Sequence, residues 1–190
     1  MLHLNDAEDQ QFFDLIDEGT IVKVHMDIRP GGYNDKEQGW DGGYAKKNKE
    51  TGAIYLDCQF TVMEGPYHKR KIWSKIGLHS EKGPNWNNMG KSFMKAIVDS
   101  AYGFSRKDKS EKAVTIRNAC SFHDLNGIEF TARIDIEVDK QTGKKKNIIQ
   151  TALTVDDEGY LGSSSGSASL TASSVAAASS HTSSLPSWAK

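Results

Sequence analysis

Cysteine is nearly missing from this chain: there are two, Cys58 and Cys120, in 190 residues. Two thiols set no disulfide framework. Cys58 falls among apolar residues of a strand, which suits a reduced core thiol better than a ligand or nucleophile. His79 and His123 fall in turns without a set of cysteines and histidines at ligand spacing, so neither a zinc site nor a thiol hydrolase is expected. Long apolar runs are also missing, which excludes a helical membrane span, and the acidic N-terminus is unlike a signal peptide. The expectation is a soluble, cytoplasmic protein. No glycine loop of the Walker type is present. A net charge of −1 argues against a generally basic protein that coats duplex DNA.

Charge is nevertheless segregated. Residues 1–19 hold six acids and no lysine or arginine, whereas residues 66–117 hold twelve lysines and arginines against four acids. A basic patch on a near-neutral body can steer a polyanion, and a lysine-rich solvated surface has the same composition.

The most informative stretch is AIYLDCQFTVMEGPYHKRKIWSKIGL, residues 53–78. Ile54, Leu56, Cys58, Phe60 and Val62 alternate with Tyr55, Asp57, Gln59 and Thr61, the period of a strand with one buried face. A turn at Glu64-Gly65-Pro66 leads to a second strand, where Ile72, Ile76 and Leu78 continue the buried face around Ser74. Lys71, Trp73 and Lys75 share the opposite face. Burial favours turning an indole inward, yet this register turns Trp73 outward between two lysines. An outward aromatic flanked by ammonium groups suits single-stranded nucleic acid, whose bases stack and whose phosphates are anionic.

Three further strands follow from the same alternation: residues 20–28 (Val22, Val24, Met26, Ile28 inward), 128–138 (Ile128 to Val138) and 148–155. In residues 29–52 five glycines before Ala45 and a proline exclude a regular helix, and a long functional loop is expected. Tyr33, Trp40 and Tyr44 in it either stack on a ligand beside Lys46 and Lys47 or fold back as a lid on the barrel end. Both readings stand together. Residues 85–103 carry Trp86, Met89, Phe93, Ile97 and Ala101 at helical spacing, widened by Met94 and Val98, and this stripe reads as core. A shorter helix is expected near residues 110–118, and residues 122–127 read as a turn. The loop before the last strand carries Lys144, Lys145 and Lys146, which either meet phosphate or remain solvated.

The domain plan is therefore an acidic arm over residues 1–19, a core over 20–160 and a tail over 161–190. The arm's apolar residues Phe12, Phe13, Leu15 and Ile16 suit a short segment laid against the core. The tail is almost entirely serine, alanine, glycine and threonine and is expected to be a flexible, disordered tether. It ends in LPSWAK, where Leu185, Pro186 and Trp188 read either as a peptide for a partner's pocket or as a plain disordered end.

Five strands with a helix between the third and fourth give a mainly β fold, a five-stranded OB-fold-like barrel. That fold binds oligonucleotides or oligosaccharides on an open sheet face and its flanking loops. The succession EGTIVKVHMDIRPGGY, YLDCQFTVMEGPYHKRKIWSKIGL, NMGKSFMKAIVDSAYG and DLNGIEFTARIDIE resembles a family of bacteriophage and mobile-element OB-fold single-stranded DNA-binding proteins, encoded near replication and recombination genes. The resemblance spans roughly residues 18–155. It implies a DNA-binding protein working beside a recombinase, nuclease or replication protein in a bacterial or infected host cell. The tail departs from bacterial single-stranded DNA-binding proteins: it lacks an acidic run and ends in Trp-Ala-Lys rather than Pro-Phe.

The expected mechanism is non-catalytic, with no cofactor or metal. Bases stack on Trp73, Tyr55 and some of Tyr33, Trp40 and Tyr44. Lys46, Lys47, Lys69, Arg70, Lys71 and Lys75 meet phosphates of single-stranded DNA or RNA, with little sequence preference. Asp57, Asp135 and Glu137 lie on outward faces but form no tight nuclease constellation. The alternatives are a protein-interaction adaptor or a single-strand annealing accessory protein using the same face and tail. The partner readings include a homo-oligomer of this chain.

Overall fold

The computed structural model describes residues 14–140 and 142–162. The tail, including Leu185, Pro186 and Trp188, lies outside the described residues, as do Phe12 and Phe13. The described chain is a curled antiparallel sheet, a half-barrel, with three helices. Its strands are β1 (Ile21–Arg29), β2 (Tyr33–Asp35), β3 (Trp40–Lys47), β4 (Ile54–Val62), β5 (Lys71–His79), β6 (Glu129–Val138) and β7 (Lys145–Ala152). Its helices are α1 (Asn85–Tyr102), α2 (Glu111–Ala119) and α3 (Phe122–Leu125), all between β5 and β6. None is long and apolar enough to cross a membrane.

The sheet has seven strands rather than five. The two additional ones come from the glycine-rich stretch read as a loop. Gly42 and Gly43 sit at φ of 72° and 69°, in the left-handed region that glycine enters freely, so the chain bends sharply and still returns to pair. Tyr33 pairs with Ala45 and Asp35 with Trp40. Gly31 allows the close crossing: a Cβ there would lie 2.3 Å from the Ala45 carbonyl oxygen.

Strand β4 is the hub. It pairs along one edge with β5, from Ile54 to Thr61, and along the other with β1 (residues 57–62) and β3 (residues 54–56). β1 continues to β6, and β6 to β7. The curl brings β5 against β7. The last strand begins and ends three residues earlier than the apolar pattern of 148–155 suggests. Its lysines pair with the end of β6, Lys146 opposite Glu137 and Lys145 opposite Val138, so ladder hydrogen bonds extend it into a charged stretch.

The inner face is the core. Met26, Leu56, Phe60, Ile72, Ile76, Phe130 and Ile134 are fully buried there, at the positions that alternation assigns. Phe93 of α1 packs on Phe60 and Phe130 with ring centroids 6.4 Å apart, plugging the curled sheet. Helix α1 starts and stops where expected, ending at Gly103 with φ of 70°. Its buried stripe differs in one turn. Gly90 is buried, and Met89 is 70% exposed, because α1 approaches β5 through Gly90 itself. A Cβ on Gly90 would lie 1.9 Å from the Gly77 carbonyl oxygen. Residues 122–125, read as a turn, make a helical turn instead, closed by a capping box between Ser121 and Asp124.

The end of the N-terminal arm is tied down. Ile16 is buried, and Asn147 exchanges two hydrogen bonds with its backbone, at 2.9 and 2.7 Å.

Candidate nucleic-acid interface

The candidate site is the outer face of the β4–β5 hairpin, and ladder register sets its rows. Lys71 stands opposite Thr61, Trp73 opposite Gln59, Lys75 opposite Asp57 and Gly77 opposite Tyr55. No bulge interrupts β5 from Lys71 to Gly77, so these side chains share one face. Trp73 is 48% exposed, and no other ring stacks on it among the described residues. Lys71 and Lys75 are exposed on either side.

Cations gather around one carboxylate beside this row. Asp57 accepts from Arg29 Nη2 at 2.8 Å, and Lys46 Nζ lies 3.9 Å from its other oxygen. With Lys75 opposite it in the ladder, one acid stands among three cations. The far flank has the opposite sign. His25 Nε2 lies 3.3 Å from Asp27, and its Nδ1 lies 3.9 Å from Glu129.

Tyr55 is on the expected face but differs from the expectation in exposure. It is only 8% exposed, because Trp86 packs over it with ring centroids 6.2 Å apart and Lys75 Nζ sits 4.7 Å from its ring centroid. Its ring supports the face from below rather than offering a free surface. Spacing places Trp86 in the helix core; in the fold it lies instead on the outer face, over Gly77. A Cβ on Gly77 would meet the indole at 2.4 Å. The gap in the outward row at Gly77 was the sequence signal for it.

The other expected contacts are scattered. Tyr33, Trp40 and Tyr44 are partly buried against the core, as the lid reading has it. Tyr44 Oη lies 3.2 Å from His123 Nδ1, and Lys47 Nζ sits 5.5 Å from the Tyr33 ring centroid. Trp40 lines a cavity of about 270 Å³ with Met94, Val98, Phe122 and Leu125, under the β2–β3 hairpin. Lys69 sits in the β4–β5 turn at φ of 67°, and Arg70 donates to the Asp14 carbonyl at 2.6 Å. Lys144, Lys145 and Lys146 are exposed at the β6–β7 end, where Lys146 pairs with Glu137 at 2.8 Å.

The thiols are held protonated. Burial pushes Cys58 far above the ordinary range, and burial with the nearby Asp124 pushes Cys120 up to about 11.

Fold and face together define a class: a mainly β half-barrel with an aromatic, cationic strip on an open sheet surface. Comparison with protein-family models finds no match, and none of the curated proteins is similar in sequence.

Proposed function

We propose that this protein binds single-stranded nucleic acid without catalysis, on the outer face of β4 and β5, in the replication or recombination of a phage or mobile element. The observation that carries the reading is Trp73, an indole half in solvent on a regular strand, flanked by Lys71 and Lys75 and, among the described residues, stacked on no other ring. Leaving that much aromatic surface in water forgoes burial, and a stacking role for bases gives the exposure a use. Each engaged base contributes about 1–3 kcal/mol, and the lysines release counterions from phosphates.

Topology supports an OB-like reading. Taken alone, β1, β4, β5, β6 and β7 run as a meander of three strands, three helices and a hairpin, with β1 beside both β4 and β6. The β2–β3 hairpin then occupies the connection between the first two, one of the loops that this fold uses in binding. The fold admits many functions, so the residues on its face carry the argument.

Titration of labelled oligo-dT against duplex DNA of the same length, at low and moderate salt, tests the reading. The single strand is expected to bind more tightly, and its affinity to fall as salt rises. Equal or stronger binding to duplex, or none to either, sinks it.

A further inference from the structure

We infer that Trp86 is a second stacking platform, and that single-stranded DNA runs lengthwise along the β4–β5 hairpin from Trp73 to Trp86. The inference rests on the face being a single-strand site, and it sets the strand's course and shortest useful length.

Three features place Trp86 there. Gly90 lets α1 close onto the Gly77 carbonyl, Gly77 leaves room for the indole, and Tyr55 backs it from β4. Removing either glycine's space would push the helix or the ring away. The side chain that results is half-buried and sits at the end of the row that begins with Lys71 and Trp73. A helix residue otherwise free to turn toward the core is thus committed to the sheet's outer surface.

Charge sets the direction. Between the two indoles stands Lys75, its ammonium held over Tyr55, with Lys46 and Arg29 around Asp57 beside it. A strand crossing the sheet from Lys71 and Trp73 toward β1 and β6 would instead meet Asp27 and Glu129, and their carboxylates repel phosphate. The lengthwise course passes Lys71 and Lys75, with Lys46 and Arg29 offsetting the charge of Asp57.

Length follows from strand geometry. Trp73 and Gly77 are four residues apart, about 13 Å along β5. At a stacked rise of about 3.4 Å per nucleotide, the interval is about four nucleotides. An oligonucleotide of about two residues reaches one indole only, while one of about eight reaches both.

The test compares the full chain with Trp86→Ala, Trp86→Phe and Trp73→Ala by fluorescence anisotropy, using labelled oligo-dT of about two and about eight nucleotides. Trp86→Ala is expected to weaken the longer oligonucleotide by about 5- to 150-fold and leave the shorter one within about twofold, with Trp86→Phe retaining most of the affinity. If Trp73→Ala weakens binding and Trp86→Ala does not, the second platform is wrong and the face reading survives. If neither does, the face reading fails first. Should Trp86→Ala fold poorly, photocrosslinking of a 5-iodouracil oligonucleotide to the wild-type chain decides. Adducts on the peptide bearing Trp86 support the inference; adducts at Trp73 alone overturn it.

Discussion

Arg117 donates from Nε to Oδ1 of Asp99 at 2.6 Å, and the carboxylate it reaches has no exposed surface. Lys95 reaches the other oxygen at 2.5 Å, so one buried acid is held by two cations. Arg117 also donates to the carbonyl oxygens of Asp108 and, at 3.0 Å, Ser105. This network joins α1 to α2 and to the segment between them. Asp99→Ala is expected to lower stability by about 3–5 kcal/mol, because it leaves a largely buried guanidinium without its counter-charge. Urea unfolding measures it, and a change below about 1 kcal/mol contradicts the assignment.

Trp73→Ala separates stacking from folding. Half of the side chain is already in solvent, so the melting temperature is expected to shift little. Affinity for oligo-dT is expected to drop by about 1–3 kcal/mol. A large fall in melting temperature would mean that the indole holds the sheet together.

Gly90→Ala sets two effects against each other. Alanine favours a helix interior over glycine by about 1 kcal/mol. Against this, the new methyl would fall 1.9 Å from the Gly77 carbonyl oxygen, a backbone atom that cannot rotate away. Overpacking of this kind costs about 1–3 kcal/mol or more, so net destabilisation is expected. A thermal melt showing stabilisation would refute the close approach of α1 to β5.

Acid should loosen the segment after β7. Asp156 accepts from the Arg106 backbone N–H at 2.7 Å and from the Ser105 hydroxyl at 2.9 Å, which holds its carboxyl below the usual range. A lowered folded-state pKa means that the contribution is complete above the unfolded value of about 3.9 and disappears as pH falls through the folded one. Asp156→Asn is expected to be less stable at neutral pH and to lose less between pH ~5 and ~2. Parallel acid-unfolding curves for the two proteins would argue against the linkage.

Both thiols should be inert in the native state. Cys58 is fully buried, and Cys120 titrates at about 11, so little thiolate exists at neutral pH. Reaction with a disulfide reagent at pH ~8 should be slow until denaturant is added. Rapid native reaction would show that β4, or the connection between α2 and α3 that bears Cys120, opens.

Period-two patterning made β1, β4, β5 and β6 legible, with the outward placement of Trp73, because a one-residue slip would have exposed Phe60 and Ile72 together. Helix α1 was legible from its apolar period and Gly103. The β2–β3 hairpin was not, since glycines at positive φ and short pairing leave no alternation to read. The course of Trp86 left one trace, the empty outward position at Gly77, while its own spacing matched the buried stripe.

Local alternation and turn chemistry alone determined which side of each strand faces oil and which faces water, and hence that an indole stands outward between two lysines. Only the folded chain decided what covers those outward residues. Tyr55 and Trp73 are both outward by period, yet one is roofed and the other open, because Gly77 on β5 and Gly90 on α1 let the helix settle on one end of the hairpin. Close approach of backbones depends on how strand and helix pack in space, and the residue pattern of either element alone does not state it.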